Sequence, residues 1–383
     1  MRKRRVFYLI SSFAQGGAER HLLELLRWLD HDRFEPMVCV LRDNVHYTGD
    51  LGDQPRYRLG ANQWYWPGPL TRLVSALRDS RADIVHTYLN DANLWGRLAM
   101  QLAPSVPMIT SVHLDDMSAF YRGAERLLHP LSDRIVAHSE SIRRFLTGRL
   151  GVPDHRVHVI VNGVDPQRFA VADEAQRAAA RAAFDIEPGQ FIALMPARIA
   201  AQKNQDLVVA TLAEMREAGR LPANFRLLLA GRVSERWVDI KTRYLIRRHS
   251  LGDVVRFLGA VRDMQSLLWA ADVVLLPSRT EASPIAALEG LSAGLPVVIS
   301  DTSNTDTVVV DGEHGFEVPS GDRGALADAI SRTLALTHAE RAAMGRAGRQ
   351  HIEAHFTTER VGRDFMALYD ELTLASRAAS GNT

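Results

Sequence analysis

Twelve short apolar runs, separated by longer stretches of helical character, constrain this chain more than any other feature. The first half holds VFYLI (6–10), PMVCVL (36–41), DIVHTY (83–88), PMITSVH (107–113), DRIVAHS (133–139) and HVIVNGV (158–164). The second half holds FIALMPA (191–197), FRLLLAG (225–231), VVRFLGA (254–260), DVVLLPS (272–278), PVVIS (296–300) and GFEVP (315–319). Their unbroken apolar character fits parallel strands buried on both faces, and the gaps leave room for crossovers. A polar, Ala-rich stretch, DPQRFAVADEAQRAAARAAFDIEPGQ, lies between the halves and reads as a linker running into a short helix. The expected architecture is α/β: two Rossmann-like domains, 1–167 and 168–355, with parallel sheets facing across a deep cleft. A ligand is expected at the C-terminal strand ends that face the cleft.

A length of 383 residues suits two cores rather than one. The balance of 46 basic and 45 acidic residues leaves a net charge of +1, which disfavours nucleic acid as a partner. One cysteine, Cys39, sits inside PMVCVL, so no disulfide framework or CxxC metal site is expected, and the location expected is cytoplasmic. After the basic start MRKRR, the apolar run VFYLI is too short for a signal peptide and reads as a first strand. No 18-residue apolar segment occurs, so no membrane span is expected.

Three segments carry candidate chemistry. SSFAQGGAERHLLELL places Gly16 and Gly17 between the first strand and a helix, where backbone amides can approach a diphosphate. A tight turn needing positive φ explains the same pair, and a GxGxxG dinucleotide fingerprint is absent. MPARIAAQKN places Arg198 and Lys203 at the end of the first strand of the second half. Only three of the 46 basic residues are lysines, so a compact ammonium in this loop is a selective choice that suits a phosphate, with Arg198 as a planar fork. A solvated loop pair is the alternative.

The third segment is SRTEASPIAALEG. Ser283 is expected as N-cap and Pro284 as the first helical residue, leaving the amides of Ile285 and Ala286 free. Glu281 then lies just outside the helix and Glu289 within it, roughly 8 Å along the axis from the cap. A ligand with an anionic middle and hydroxyls at both ends would use all three features, and a sugar nucleotide has that form. Against this, Glu281 can merely offset the helix dipole and Glu289 can be a surface residue.

Glu281, seven residues, Glu289, between ADVVLLPS and AGLPVV, resembles the signature of the family-4 retaining glycosyltransferases of GT-B fold. Further matches are GGAER, SVH (111–113), VNGVD, ARIAAQKN, VRFLGAV and VVDGEHGFEVPSGDRGALADAI, in order along most of the chain. The resemblance implies that Arg198 and Lys203 neutralise the donor diphosphate and that Glu289 holds the ribose. It implies that Glu281 contacts the donor sugar and His113 the transferred sugar, although His113 alone reads as a satisfied strand-end histidine. Gly16 and Gly17 would close over the phosphates, and Val261 and Arg262 would read the base. Residues 356–377 would form a helix that returns to the N-terminal domain. Two departures bear on the donor sugar. Glu281-Ala282-Ser283-Pro284 replaces the family's Glu-Gly-aromatic-Pro, and SNTDT (303–307) replaces its Gly-Gly and Pro-Glu loop.

The implied reaction is metal-independent, retaining transfer from a nucleotide-sugar, with a UDP-sugar expected, to a glycan, lipid-linked or small-molecule acceptor. No cofactor is expected. Asp30-His31-Asp32 falls at a domain edge and receives no chemistry. Arg56, Arg58 and Arg72 around Trp64, Tyr65 and Trp66 suit loose contact with the inner membrane surface, a sugar-stacking platform, or packing on a neighbouring helix. An epimerase of the same fold and a non-catalytic nucleotide-sugar-binding subunit are the competing functions.

Overall fold

The computed structural model describes residues 2–13, 17–42, 56–60, 68–103, 105–113 and 117–380. The chain forms two compact units, one of residues 1–162 and 358–383, the other of Gly163–Thr357. This division falls inside HVIVNGVD (158–165), five residues before the boundary at 167 expected from the sequence. The chain leaves the first sheet early because the strand here is only Val157–Val159, which takes in just the first two residues of that run.

Strands of the first unit are β1 (Arg4–Ile10), β2 (Phe34–Val40), β3 (Tyr57–Arg58), β4 (Ile84–Tyr88), β5 (Met108–Val112), β6 (Arg134–Ala137) and β7 (Val157–Val159). They form a parallel sheet in the order β3-β2-β1-β4-β5-β6-β7. The two-residue β3 was not anticipated, being too short to show an apolar run. Strands of the second unit are β8 (Phe191–Pro196), β9 (Phe225–Ala230), β10 (Val255–Gly259), β11 (Val273–Leu276), β12 (Val297–Ser300) and β13 (Gly315–Val318). These run parallel in the order β10-β9-β8-β11-β12-β13. In each sheet the winding reverses beside the first strand, at β1/β4 and at β8/β11. Ligands of open α/β sheets bind at such a switch point, outside the carboxyl ends of the strands.

Burial explains the apolar runs. All of β4, β5, β11 and β12 is buried. The helix Thr358–Ser380 belongs to the first unit, where Val361, Phe365, Leu368, Tyr369 and Leu372 join the core formed by β1, β2 and the helix Gly17–Trp28. Its attachment is also polar. Tyr8 lies beside His86 in the register of β1 and β4. The Tyr369 hydroxyl lies 3.1 Å from the Tyr8 hydroxyl and 2.8 Å from His86 Nδ1, and His86 Nε2 lies 2.8 Å from Ser111 Oγ.

A second buried connection holds the other face. Arg97, on the helix Asn90–Met100, donates from Nη1 and Nη2 to both carboxylate oxygens of Glu125, at 2.7 and 2.6 Å. Its Nε donates to Ser132 Oγ at 2.8 Å and its Nη2 to Thr110 Oγ1 at 3.0 Å. Both partners are almost fully buried. Removing one member leaves an uncompensated interior charge. Glu125→Ala is therefore expected to lower the unfolding free energy by about 3–5 kcal/mol. The apolar double variant Arg97→Met/Glu125→Leu is expected to recover most of that loss, both being read by denaturant unfolding.

Candidate active site

In the second unit the candidate residues lie where β8 and β11 end. β8 leaves the sheet at Ala197, whose carbonyl oxygen is so close to Gly231 that a Cβ there would lie 2.0 Å away. The chain then makes a short turn at Ala201–Lys203 and enters the helix Gln205–Glu217. Asn204 joins the two in the left-handed region, at φ 59° and ψ 36°, which asparagine tolerates better than most residues.

Hydrogen bonds stitch this loop to the one after β11. Asn204 Nδ2 donates to Pro277 O at 2.9 Å, and Arg279 Nε donates to Asn204 Oδ1 at 2.8 Å. Gln202 Nε2 donates to Thr280 O at 2.9 Å, and the Arg279 amide donates to Gln202 O at 2.7 Å. Gln205 Nε2 donates to Arg198 O at 2.7 Å. The result is a rigid double loop that aims two side chains at each other: Lys203 Nζ forms an ion pair with Glu281 Oε1. Ser278 Oγ donates to the same oxygen at 2.8 Å. Glu281 is buried and Lys203 half-buried, whereas Arg198 is exposed, its Nη1 3.4 Å from Ser234 Oγ.

Two expectations about the following helix are corrected. It begins at Ile285, not Pro284, because Pro284 has non-helical dihedrals, φ −83° and ψ 65°. Pro284 therefore takes the N-cap position, and Ser283 is not the cap: its Oγ makes no hydrogen bond among the described residues. Of the two amides expected to be free, that of Ile285 donates to Ser283 O at 3.0 Å. Glu289 is 5% exposed, which removes the alternative of a solvated surface residue.

Val261 and Arg262 follow β10, two strands from β8, after a turn that Gly259 makes at φ 68°. They take no part in the hydrogen bonds that join Lys203 and Glu281. The departing loop 303–307 is held by Asn304, which donates to Val309 O at 2.7 Å and accepts from the Val309 amide at 2.9 Å. Sequence reasoning missed Gln202, Asn204, Gln205 and Ser278, which position the loops rather than carry charge. The one available signal was an asparagine directly ahead of a helix.

In the first unit, His113 directly follows β5 and is half-buried. Its ring stacks on that of His138, 3.9 Å between centroids, and burial keeps its pKa well below the usual histidine range. Gly17 opens the helix Gly17–Trp28, while Gly16 lies outside the described residues, as do Trp64, Tyr65 and Trp66. Among the described residues no helix is long and apolar enough to cross a membrane.

Comparisons with known proteins bear on the family and the fold. The family model described as "Glycosyl transferases group 1" matches residues 176–351, and "Glycosyltransferase Family 4" matches 15–168. A putative glycosyltransferase, EpsF, of Bacillus subtilis is 28% identical, over 92% of this chain and 91% of that protein. The UDP-Gal:alpha-D-GlcNAc-diphosphoundecaprenol alpha-1,3-galactosyltransferase of Escherichia coli is 25% identical, over 83% of this chain and 84% of that protein. A solved structure of Anabaena Alr3699/HepE in complex with UDP-glucose superposes with a TM-score of 0.83 at 20% identity. That superposition covers 96% of this chain and all of the other, a likeness of fold. The fold of the two parallel-sheet units is that of the GT-B glycosyltransferases.

Asn204 gives a direct test of the stitched loops. Asn204→Ala removes two hydrogen bonds and puts a Cβ-bearing residue without a compensating side chain into the left-handed region. A loss of about 2–4 kcal/mol is expected from the two effects together. Asn204→Gly keeps the backbone and is expected to cost about 1–2 kcal/mol less, as measured by denaturant unfolding.

Proposed function

The chain belongs to the family-4, group 1 glycosyltransferases, and from that premise we propose that it moves a hexose from a UDP-sugar to a hydroxyl acceptor with retention of configuration. The observation that carries the reading is the Lys203–Glu281 pair, fixed by hydrogen-bonded loops at the switch point of the second sheet. A carboxylate held beside an ammonium at that place offers an acceptor for sugar hydroxyls and a cation for a phosphate. The names of the Escherichia coli galactosyltransferase and of the Anabaena complex support a UDP-sugar donor, and the former supports a lipid-linked glycan as acceptor.

In the proposed step the acceptor hydroxyl attacks the anomeric carbon from the face on which the diphosphate departs. The carbon–oxygen bond to the phosphate breaks, and the hydroxyl proton passes to the departing phosphate oxygen. Charge develops on UDP, and Arg198 and Lys203 stabilise it from positions set before the reaction, so no metal is assigned to this task. Glu281 orients the sugar, Glu289 takes the ribose hydroxyls, and the loop at Val261 and Arg262 meets the base. His113 keeps the sugar contact that the family pattern gives it. The amide of Ala286 faces the phosphates, with Gly17 as a second backbone contact.

Calorimetric titration with UDP, GDP and ADP tests the donor class, with UDP expected to bind selectively. Lys203→Ala is expected to weaken UDP at least about tenfold and to lower kcat/KM about 10²–10³-fold, the effect of deleting one preorganised charge donor. Because Lys203 also neutralises Glu281, the double variant Lys203→Ala/Glu281→Gln separates the two roles. Binding that stays weak in the double variant identifies a phosphate contact. Binding restored to the wild-type level would show that the lysine only balances the carboxylate.

A further inference from the structure

The first unit gathers four histidines, one within β4, two just past the ends of β5 and β6 and one on the helix after β1, and they are not equivalent. His86 is satisfied at both ring nitrogens, by Tyr369 and Ser111. His21, from the helix Gly17–Trp28, and His113 and His138, which directly follow β5 and β6, are not. Among the described residues both nitrogens of His21, Nε2 of His113 and Nε2 of His138 are buried without a hydrogen-bond partner. Buried polar atoms are nearly always partnered, so four orphaned nitrogens in one place require a reason.

The three rings lie against one another. His113 and His138 stack with an interplanar angle of 16°, and His21 stands edge-on to both, 5.6 and 4.5 Å away between centroids. One ring nitrogen from each lies within 4.8 Å of the other two. His138 Nδ1 lies 3.1 Å from Ile160 O, an arrangement that places the proton on Nδ1 and leaves the Nε2 lone pair facing the cluster. A carbonyl partner of this kind is the outer-shell support seen behind metal-ligating histidines.

We propose that His21, His113 and His138 form a three-histidine site for a divalent transition-metal ion. An all-imidazole set suits zinc, cobalt, nickel or copper, and it does not suit magnesium or calcium, which take oxygen ligands. Zinc–nitrogen bonds of about 2.0–2.1 Å in a tetrahedron separate the nitrogens by about 3.4 Å. The cluster contracts by at most about 1.4 Å to reach that spacing, through rotations of the side chains. Binding would withdraw His113 from the transferred sugar, making the ion an inhibitor of transfer. This consequence rests on the function proposed above; the binding does not.

The full chain, freed of metal by chelation and dialysis, is titrated with zinc by calorimetry and with cobalt by visible absorption. One zinc ion per chain, and cobalt ligand-field bands of a low-coordinate nitrogen site, are expected. His138→Phe and His21→Phe preserve ring packing and are expected to lower zinc affinity at least about tenfold. X-ray absorption on the wild type reads the site without a variant and is expected to show imidazole nitrogens at about 2.0–2.1 Å. Absence of stoichiometric zinc, an absorption spectrum lacking imidazole, or folded variants with wild-type affinity would overturn the site. Zinc that binds as described but leaves transfer unchanged would keep the site and remove the sugar contact of His113. Transfer that proceeds in a chain with no zinc affinity would remove the site alone.

Discussion

Every function assigned to this chain depends on strands that all point the same way. Parallel strands buried on both faces need crossover helices, so each strand's carboxyl end and each following helix's amino end meet along one edge of the sheet. Reversal of the winding at β1/β4 and at β8/β11 opens that edge at one place in each unit. The loops found there carry the charges. Lys203 and Glu281 occupy the β8/β11 edge, and the histidines occupy the ends of β5 and β6 and the helix after β1.

The two edges use opposite electrostatic solutions. In the second unit a buried carboxylate is balanced at once by an ammonium and a hydroxyl, and the loops around it are cross-bonded through Gln202, Asn204 and Arg279. Little reorganisation is needed for such a pair to accept a ligand that brings both hydroxyls and a phosphate, which is the condition for electrostatic catalysis. In the first unit the rings are neutral because the surrounding aromatic residues exclude water. A cluster of imidazole nitrogens, one from each ring within 4.8 Å of the others, suits a cation instead. One of these rings, His113, is also the residue to which the family pattern gives a sugar contact, so one side chain is open to two competing ligands.

Much of this was legible from residues alone. The twelve apolar runs became twelve of the thirteen strands among the described residues, because burial on both faces leaves an unbroken apolar signature. Lys203 and Glu281 stood out as a scarce lysine and a carboxylate beside a helix. What stayed hidden depends on tertiary structure. The cap at Ser283 failed because Pro284 takes dihedrals that propensity alone does not specify. The positioning roles of Asn204 and Gln205 arise from contacts seventy or more residues away in one case and seven in the other. The histidine cluster joins residues 21, 113 and 138, a spacing with no local motif, so the sequence reading assigned no metal.

The most direct test of the central claim is a crystal structure of the chain with UDP. The account predicts the diphosphate at the carboxyl ends of β8 and β11, within hydrogen-bonding distance of Lys203, with the ribose hydroxyls on Glu289. UDP bound elsewhere, or an unbroken Lys203–Glu281 pair with no phosphate beside it, would contradict the account.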